Sequence, residues 1–382
     1  MTHASNGTPP IDSTSLDGAP SGDGAFKVDR RSFLIGASAL AVSSASWAAG
    51  APYPTDRKTL AYAAPEGKDL LLDLYRPLGV EGPLPVILFV HGGGWFAGTR
   101  VTGPDFRRFF TEHGFAMASF DYRLVPSVTF PTPVEDVKTA VRWLRANAKE
   151  YGLDGSRIGM WGTSSGGLLA SVAALTPVGM FEGQGNNDQS SAVQCVLDAY
   201  GPTDFLVMDA QAEAERPTLQ PLHPALVRVS PTSEIRTGNG APAGGRAAGF
   251  THSDPESPES RLLGAPVMTV PEKAKAANPV TYVGPNAPPF LIMHGLADNT
   301  VAHGQSVMLY EALAAKGNDV TLRLVDGLQH TFFNRNDLDD VAAPFRMDVR
   351  ESRGGREQVR EDHGGVFVAA REFFERHLKK SA

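Results

Sequence analysis

Arg157-Ile158-Gly159-Met160-Trp161-Gly162-Thr163-Ser164-Ser165-Gly166-Gly167-Leu168-Leu169-Ala170 is the stretch that decides how this chain is read. A short apolar run, Arg157 to Trp161, leads into Gly162-Thr163-Ser164-Ser165-Gly166 and out into small residues suited to a helix. Strand, sharp turn and helix with a serine at the tip is the sequence form of a nucleophile elbow. Such a turn imposes strained backbone angles on its central residue and presses neighbouring backbone close. Glycines on both sides remove the Cβ atoms that would collide. The turn lifts one hydroxyl beyond the sheet, where an incoming molecule can reach it.

Outward from the elbow, strand and helix signals alternate. Pro85 to Val90 is continuously apolar, as a strand covered on both faces must be. Leu70 to Tyr75 reads as an earlier strand with a partner near Thr59 to Ala63. Phe115 to Tyr122, Ile158 to Trp161, Val193 to Leu197 and Phe290 to Met293 follow, and Val320 to Val325 reads as the last strand. Val134, Val137, Val141, Leu144, Ala148 and Tyr151 recur at gaps of three and four, which predicts an amphipathic helix. Further helices are expected at about 304–315 and 365–378. The alternation predicts an α/β fold with a mostly parallel central sheet and helices on both faces. In such sheets the reactive residues sit on loops at the C-terminal strand ends.

Two regions depart from this rhythm. Residues 1–50 begin with a stretch rich in Ser, Gly, Pro, Thr and Asp, expected to be disordered. Asp29-Arg30-Arg31-Ser32-Phe33-Leu34-Ile35 and the mildly apolar Gly36 to Ala49 come next. This resembles a bacterial twin-arginine signal peptide, with Ser46-Trp47-Ala48 as a small-x-small cleavage site. It predicts a partner, the twin-arginine export machinery, and a periplasmic or secreted location. That machinery exports folded chains, and a chain whose single cysteine is Cys195 has no intrachain disulfide to form. The second region, about 206–276, is dense in Pro, Gly, Ser and charge, and nearly structureless by composition over 238–249. It reads as an insertion above the sheet, a lid or pocket wall, within one domain spanning 51–382.

Composition excludes several functions. The net charge of −7 argues against nucleic acid or an anionic membrane surface as a partner. No Cys/His cluster has zinc spacing, no phosphate-binding glycine loop occurs, and no apolar run is long and pure enough for a stable membrane span.

A serine nucleophile needs a base, an orienter for that base and donors for the developing oxyanion. Val90-His91-Gly92-Gly93-Gly94-Trp95 follows the buried strand, and its glycines let backbone N–H groups turn inward. Gly93 and Gly94, with the N–H of Ser165, are the expected oxyanion hole. Asp298, in Met293-His294-Gly295-Leu296-Ala297-Asp298, ends another strand and is the expected acid, with Asp204 as its rival. His330 follows Val320 to Val325 and is the best placed of ten histidines as the base. His294 stands too early for the chain order Ser, Asp, His, and His363 lies in a charged C-terminal stretch.

With these residues in view the chain resembles the α/β-hydrolases. It is similar to the branch of hormone-sensitive-lipase-like esterases and feruloyl- and acetylxylan-esterase-like (BD-FAE-like) enzymes. Asp121-Tyr122-Arg123-Leu124, Phe130 to Val137 and Asn278 to Val283 carry the likeness further. It covers about 57–205 and 255–333, and leaves out the middle of the insertion and the segment 334–362. Ser165 stands where the family usually has Ala, and its N–H is unaffected by the change. The resemblance implies a serine carboxylic-ester hydrolase acting through an acyl-enzyme on a small or carbohydrate-linked ester, with no cofactor and no metal. The alternative is a serine peptidase of prolyl-oligopeptidase type that lacks the propeller. Trp95 and Tyr200, with Phe96 and Phe205, follow strand ends and are expected to line a substrate pocket. Asp136, near the start of the predicted helix, is expected to be structural.

Overall fold

The computed structural model describes residues 54–223, 226, 251–341 and 344–379. The export signal read in 1–50 and the stretch 238–249 lie outside these residues. The strands are β1 (Thr55–Ala63), β2 (Leu70–Pro77), β3 (Leu84–Val90), β4 (Ala116–Phe120), β5 (Leu153–Thr163), β6 (Cys195–Ala199), β7 (Phe290–Gly295), β8 (Val320–Val325), β9 (Phe345–Arg353) and β10 (Arg356–Gly364). The helices are α1 (Phe106–Phe109), α2 (Thr132–Ala146), α3 (Ser165–Leu175), α4 (Met208–Glu215), α5 (Pro258–Leu263), α6 (Pro271–Ala277), α7 (Gly304–Ala315) and α8 (Val366–Leu378).

All ten strands form one sheet in the order β1-β2-β4-β3-β5-β6-β7-β8-β9-β10. The run from β4 through β3, β5, β6 and β7 to β8 is parallel. Antiparallel pairs close both edges, β1/β2 and β2/β4 on one side, β8/β9 and β9/β10 on the other. Every residue of β3 is buried, because helices cover both faces. Val86, Leu88 and Val90 point to a core shared with Val134, Val137 and Val141 of α2 and Leu168, Leu169 and Val172 of α3. Ile87 and Phe89 point to the opposite core, with Trp161, Phe110, Phe333 and the α8 residues Phe367 and Phe374. The period of two along the strand thus divides one apolar run between two cores.

Val320–Val325 is not the last strand. β9 and β10 extend the sheet as a hairpin through the segment 334–362. They escape an apolar-run reading because only one face of β9 is covered, by Phe345, Met347 and Val349, and β10 is an almost wholly exposed edge. Alternating charge such as Arg356-Glu357 and Arg360-Glu361-Asp362 suits a solvent-facing edge, where it discourages pairing with other chains. The helix expected over 134–151 is also shorter, ending at Ala146 with Asn147 as its cap. Among the described residues no helix is long and apolar enough to cross a membrane. The insertion contributes α4, α5 and part of α6.

Candidate active site

β5 ends at Thr163, and Ser164 is the cap from which α3 starts. Its backbone sits at φ 54° and ψ −123°, a conformation costly for any residue with a side chain. Glycines on each side are obligatory: a Cβ on Gly162 would lie 2.1 Å from the Gly166 carbonyl oxygen, and one on Gly166 2.1 Å from that of Val90. The Ser164 N–H donates across to Ala199 O on β6 at 2.8 Å, which ties the strained turn to the neighbouring strand end.

The loop after β8 brings His330 to the elbow. Its Nε2 lies 2.8 Å from Ser164 Oγ, and its Nδ1 lies 2.6 Å from Asp298 Oδ2. The carboxylate can only accept, so the proton sits on Nδ1 and leaves Nε2 to take the serine proton. Asp298 follows β7 and is buried, while Ser164 and His330 are partly open. Asp298 Oδ1 accepts the N–H groups of Thr300 and Val301 at 2.8 and 3.0 Å. Burial opposes the charge on Asp298, but His330 and the hydrogen bonds from His294 and His330 outweigh it. They hold the carboxyl well below the usual range.

The loop after β3 turns through three successive positive φ angles, Gly93 at 123°, Gly94 at 62° and Trp95 at 63°. A Cβ on Gly93 would lie 2.2 Å from the Ala97 carbonyl oxygen, so only glycine passes here. Among the described residues, the N–H groups of Gly93, Gly94 and Ser165 donate to no acceptor. Beneath the loop, Tyr122 donates to His91 O at 3.0 Å and its ring stacks on the His91 imidazole at 4.3 Å. Burial pushes the His91 pKa down to about 4, so the ring stays neutral and its Nδ1–H holds Gly92 O at 2.8 Å.

The structure thus brings together Ser164, Asp298 and His330, with Gly93, Gly94 and Ser165 nearby in the loop and elbow. It does not bring Asp204 to the histidine. Asp204 Oδ1 is taken by the Leu206 N–H and by Asn278 Nδ2. His363 stands exposed on β10 at the far sheet edge, 3.6 Å from Glu361. Asp136 has a structural partner stronger than the helix dipole: it accepts from the backbone N–H, Nε and Nη2 of Arg123.

Two expected pocket residues are corrected. Trp95 and Tyr200 are each 1% exposed and buried among the described residues. Both follow strand ends at positive φ, and their rings pack inward, Trp95 edge-on to Phe205 and Tyr200 edge-on to His330 at 4.8 Å. The aromatic left open beside Gly94 is Phe96, 43% exposed. The insertion meets it there: a Gly94 Cβ would touch Pro258, and the Arg261 guanidinium lies 5.7 Å over the Phe96 ring. Nothing in residues 206–276 announces these contacts, since they join positions far apart in the chain. Among the described residues no group of three or more His, Cys, Asp or Glu side chains is arranged to hold a metal ion.

A parallel sheet with a strained serine elbow after β5 and a histidine and a buried carboxylate on later strand ends defines an α/β-hydrolase. The BD-FAE family model matches residues 72–313, and the chain belongs to that family. It is 30% identical over 233 residues to "Probable carboxylic ester hydrolase LipM" of Mycobacterium tuberculosis, covering 60% of this chain and 45% of that one. Among solved structures it resembles a bifunctional GH43-CE protein of Bacteroides eggerthii, at 27% identity and a TM-score of 0.59, over 84% of this chain and 38% of the other. It also resembles a thermophilic esterase of Thermogutta terrifontis, at 25% identity and a TM-score of 0.52, over 72% and 85% of the two chains. The chain spans about half the length of the curated relatives it matches.

Proposed function

We propose that this protein is a serine carboxylic-ester hydrolase that works through an acyl-enzyme, with Ser164 as nucleophile, His330 as base and Asp298 as orienting acid. The observation that carries the reading is the unbroken chain from Ser164 Oγ to His330, 2.8 Å, and from His330 to Asp298, 2.6 Å. His330 Nε2 takes the Ser164 proton as Oγ attacks the ester carbonyl carbon. The N–H groups of Gly93, Gly94 and Ser165 receive the oxyanion. His330 returns the proton to the departing alcohol, leaving the acyl group on Ser164. A water then attacks, giving its proton to His330, and the carboxylic acid leaves as Ser164 is restored. Each oxyanion donor is worth about 3 kcal/mol of transition-state stabilisation.

The substrate class we favour is a small or carbohydrate-linked ester. The names of the similar proteins, carboxylic ester hydrolase and esterase, support an ester over a peptide bond, and the peptidase alternative is not favoured. Residues 1–50 we assign to export by the twin-arginine route, on the strength of Arg30-Arg31 and the small-residue end. A reporter fused after residue 50 should leave the cytoplasm of a bacterial host, and an Arg30→Lys, Arg31→Lys pair should retain it there. For the activity, a fluorophosphonate probe should label the protein and spare Ser164→Ala. Labelling that persists in Ser164→Ala removes Ser164 from the nucleophile's place.

A further inference from the structure

The triad acid has a second imidazole that the mechanism above does not use. His294, the fifth residue of β7, is completely buried. Its Nε2 lies 3.1 Å from Asp298 Oδ2, the same oxygen that receives His330 Nδ1, and 3.0 Å from Val301 O. Its Nδ1 lies 2.7 Å from Ser306 Oγ on α7. These partners assign the Nε2 proton. Nε2 faces only acceptors, a carboxylate and a carbonyl, and must carry hydrogen. Nδ1 pairs with the Ser306 hydroxyl, which can donate or accept. A buried imidazole pinned at both nitrogens is held in place, with its Nε2–H on Val301 O and Nε2 3.1 Å from the carboxylate.

From this geometry we propose that His294 is a positioning residue for the Asp298–His330 pair. It sets a second imidazole 3.1 Å from Oδ2, behind the hydrogen-bonded run from Asp298 through His330 to Ser164. Asp298 sits between the two rings. Its Oδ1 is held by the N–H groups of Thr300 and Val301, and its Oδ2 is shared between two rings. One ring faces the open site and the other is locked behind it. Without His294, Oδ2 loses this polar contact on a buried carboxylate, and the carboxylate has more freedom to swing and a stronger pull on the His330 proton.

The ionisable groups around His294 are few. Asp298 lies on its own loop. Asp198 at the end of β6 is close enough to feel it, and its own oxygens are taken up by the Ser171 hydroxyl and the Gly201 N–H. From α7 it meets the hydroxyl of Ser306, which carries no charge. The role is indirect: His294 touches neither substrate nor Ser164, and acts through the carboxylate.

The proposal rests on the esterase reading for its kinetic readout, so the test carries a second readout that does not. Wild type, His294→Gln and His294→Leu are compared with a short-chain aryl ester across pH, and by proton NMR for the low-field resonance of the His330 Nδ1–H. Gln places an amide N–H near the position of Nε2; Leu fills similar space without a donor. In His294→Leu, kcat should fall about tenfold with KM little changed, the worth of one hydrogen bond to a charged group. The acid limb of kcat/KM should move to higher pH, because a carboxylate short of one donor makes His330 more basic. The Nδ1–H resonance should shift or vanish. His294→Gln should recover the resonance and most of the rate. Ser306→Ala should give a smaller change in the same direction, and it remains informative where the Leu variant does not fold. A folded His294→Leu with a wild-type acid limb and an unmoved resonance overturns the proposal, whatever its rate. A wild type that cleaves no ester would instead count against the esterase reading, and the resonance in the variants would still decide the role of His294.

Discussion

Ser164 Oγ and His330 Nε2 lie 2.8 Å apart although 166 positions of chain separate the two residues. Two strand ends place them, β5 and β8, with β6 and β7 between. The third group, Asp298, comes from the end of β7 and fixes which nitrogen of His330 is free. Replacing it by Asn offers the ring an amide N–H and inverts the tautomer, so Nε2 carries a proton and no longer serves as base. In Asp298→Asn, kcat should fall by about four orders of magnitude with KM nearly unchanged. Steady-state kinetics on an aryl ester measure this, with Asp204→Asn as comparison. A fall confined to Asp204→Asn would move the acid to that loop.

Gly93 is the tightest point of the loop after β3. At φ 123°, with the Ala97 carbonyl oxygen 2.2 Å from where a Cβ would stand, Gly93→Ala must move backbone rather than a flexible side chain. The loop that carries the N–H groups of Gly93 and Gly94 is then displaced. The expected result is a fall in kcat of about a hundredfold or more, from the loss of one oxyanion donor. Unfolding temperature should drop only modestly, since the change sits in a loop. Equal losses of activity and of folded protein would show that the loop serves stability and not the reaction.

Asp198 is a buried acid with an opposite pH signature to Asp298. Burial pushes its pKa up to about 6, against the hydrogen bonds of the Ser171 hydroxyl and the Gly201 N–H. Between the unfolded value near 4 and the folded value the native state binds more protons than the unfolded one, so stability from this group falls as pH rises. The contribution is complete below about pH 4 and lost above pH 6, at most about 3 kcal/mol. Asp298, held low in the native state, contributes stability above the unfolded carboxyl value that is lost as pH falls through its folded one. Asp198→Asn keeps an acceptor for Gly201 and a donor for Ser171 Oγ without the charge. Urea unfolding at pH 5 and pH 8 should show the variant gaining on wild type at pH 8 and matching it more nearly at pH 5. An identical gap at both values would mean that Asp198 stays ionised throughout.

The parts legible in the sequence are those decided within a few residues. The elbow needs glycines at Gly162 and Gly166 because backbone passes 2.1 Å from where their Cβ atoms would be, and that demand is written locally. The apolar run of β3 announces a strand covered on both sides, and with it a parallel sheet. β9 and β10 were not legible by the same rule, because a strand with one covered face or none carries no apolar run. Trp95 and Tyr200 show the reverse error. An aromatic after a strand end looks like a pocket wall, yet a positive φ at each position goes with a ring packed inward, and a residue type does not report φ. The second imidazole on Asp298 was also out of reach: His294 stands in the motif beside the acid, but its contact with Ser306 depends on how α7 packs against β7.

By itself the sequence determined the strained serine turn, the glycine loop after β3, the alternation that makes a parallel sheet, and the set of strand-end residues from which a site could be drawn. These follow from sterics and burial acting over one to eight residues. The tertiary structure alone decided which of ten histidines reaches Ser164, which carboxylate holds it, and which wall the insertion lays against Phe96. Hydrogen bonds and packing act over about 3 to 4 Å, and only the order and register of the strands bring residues so distant in the chain within that range.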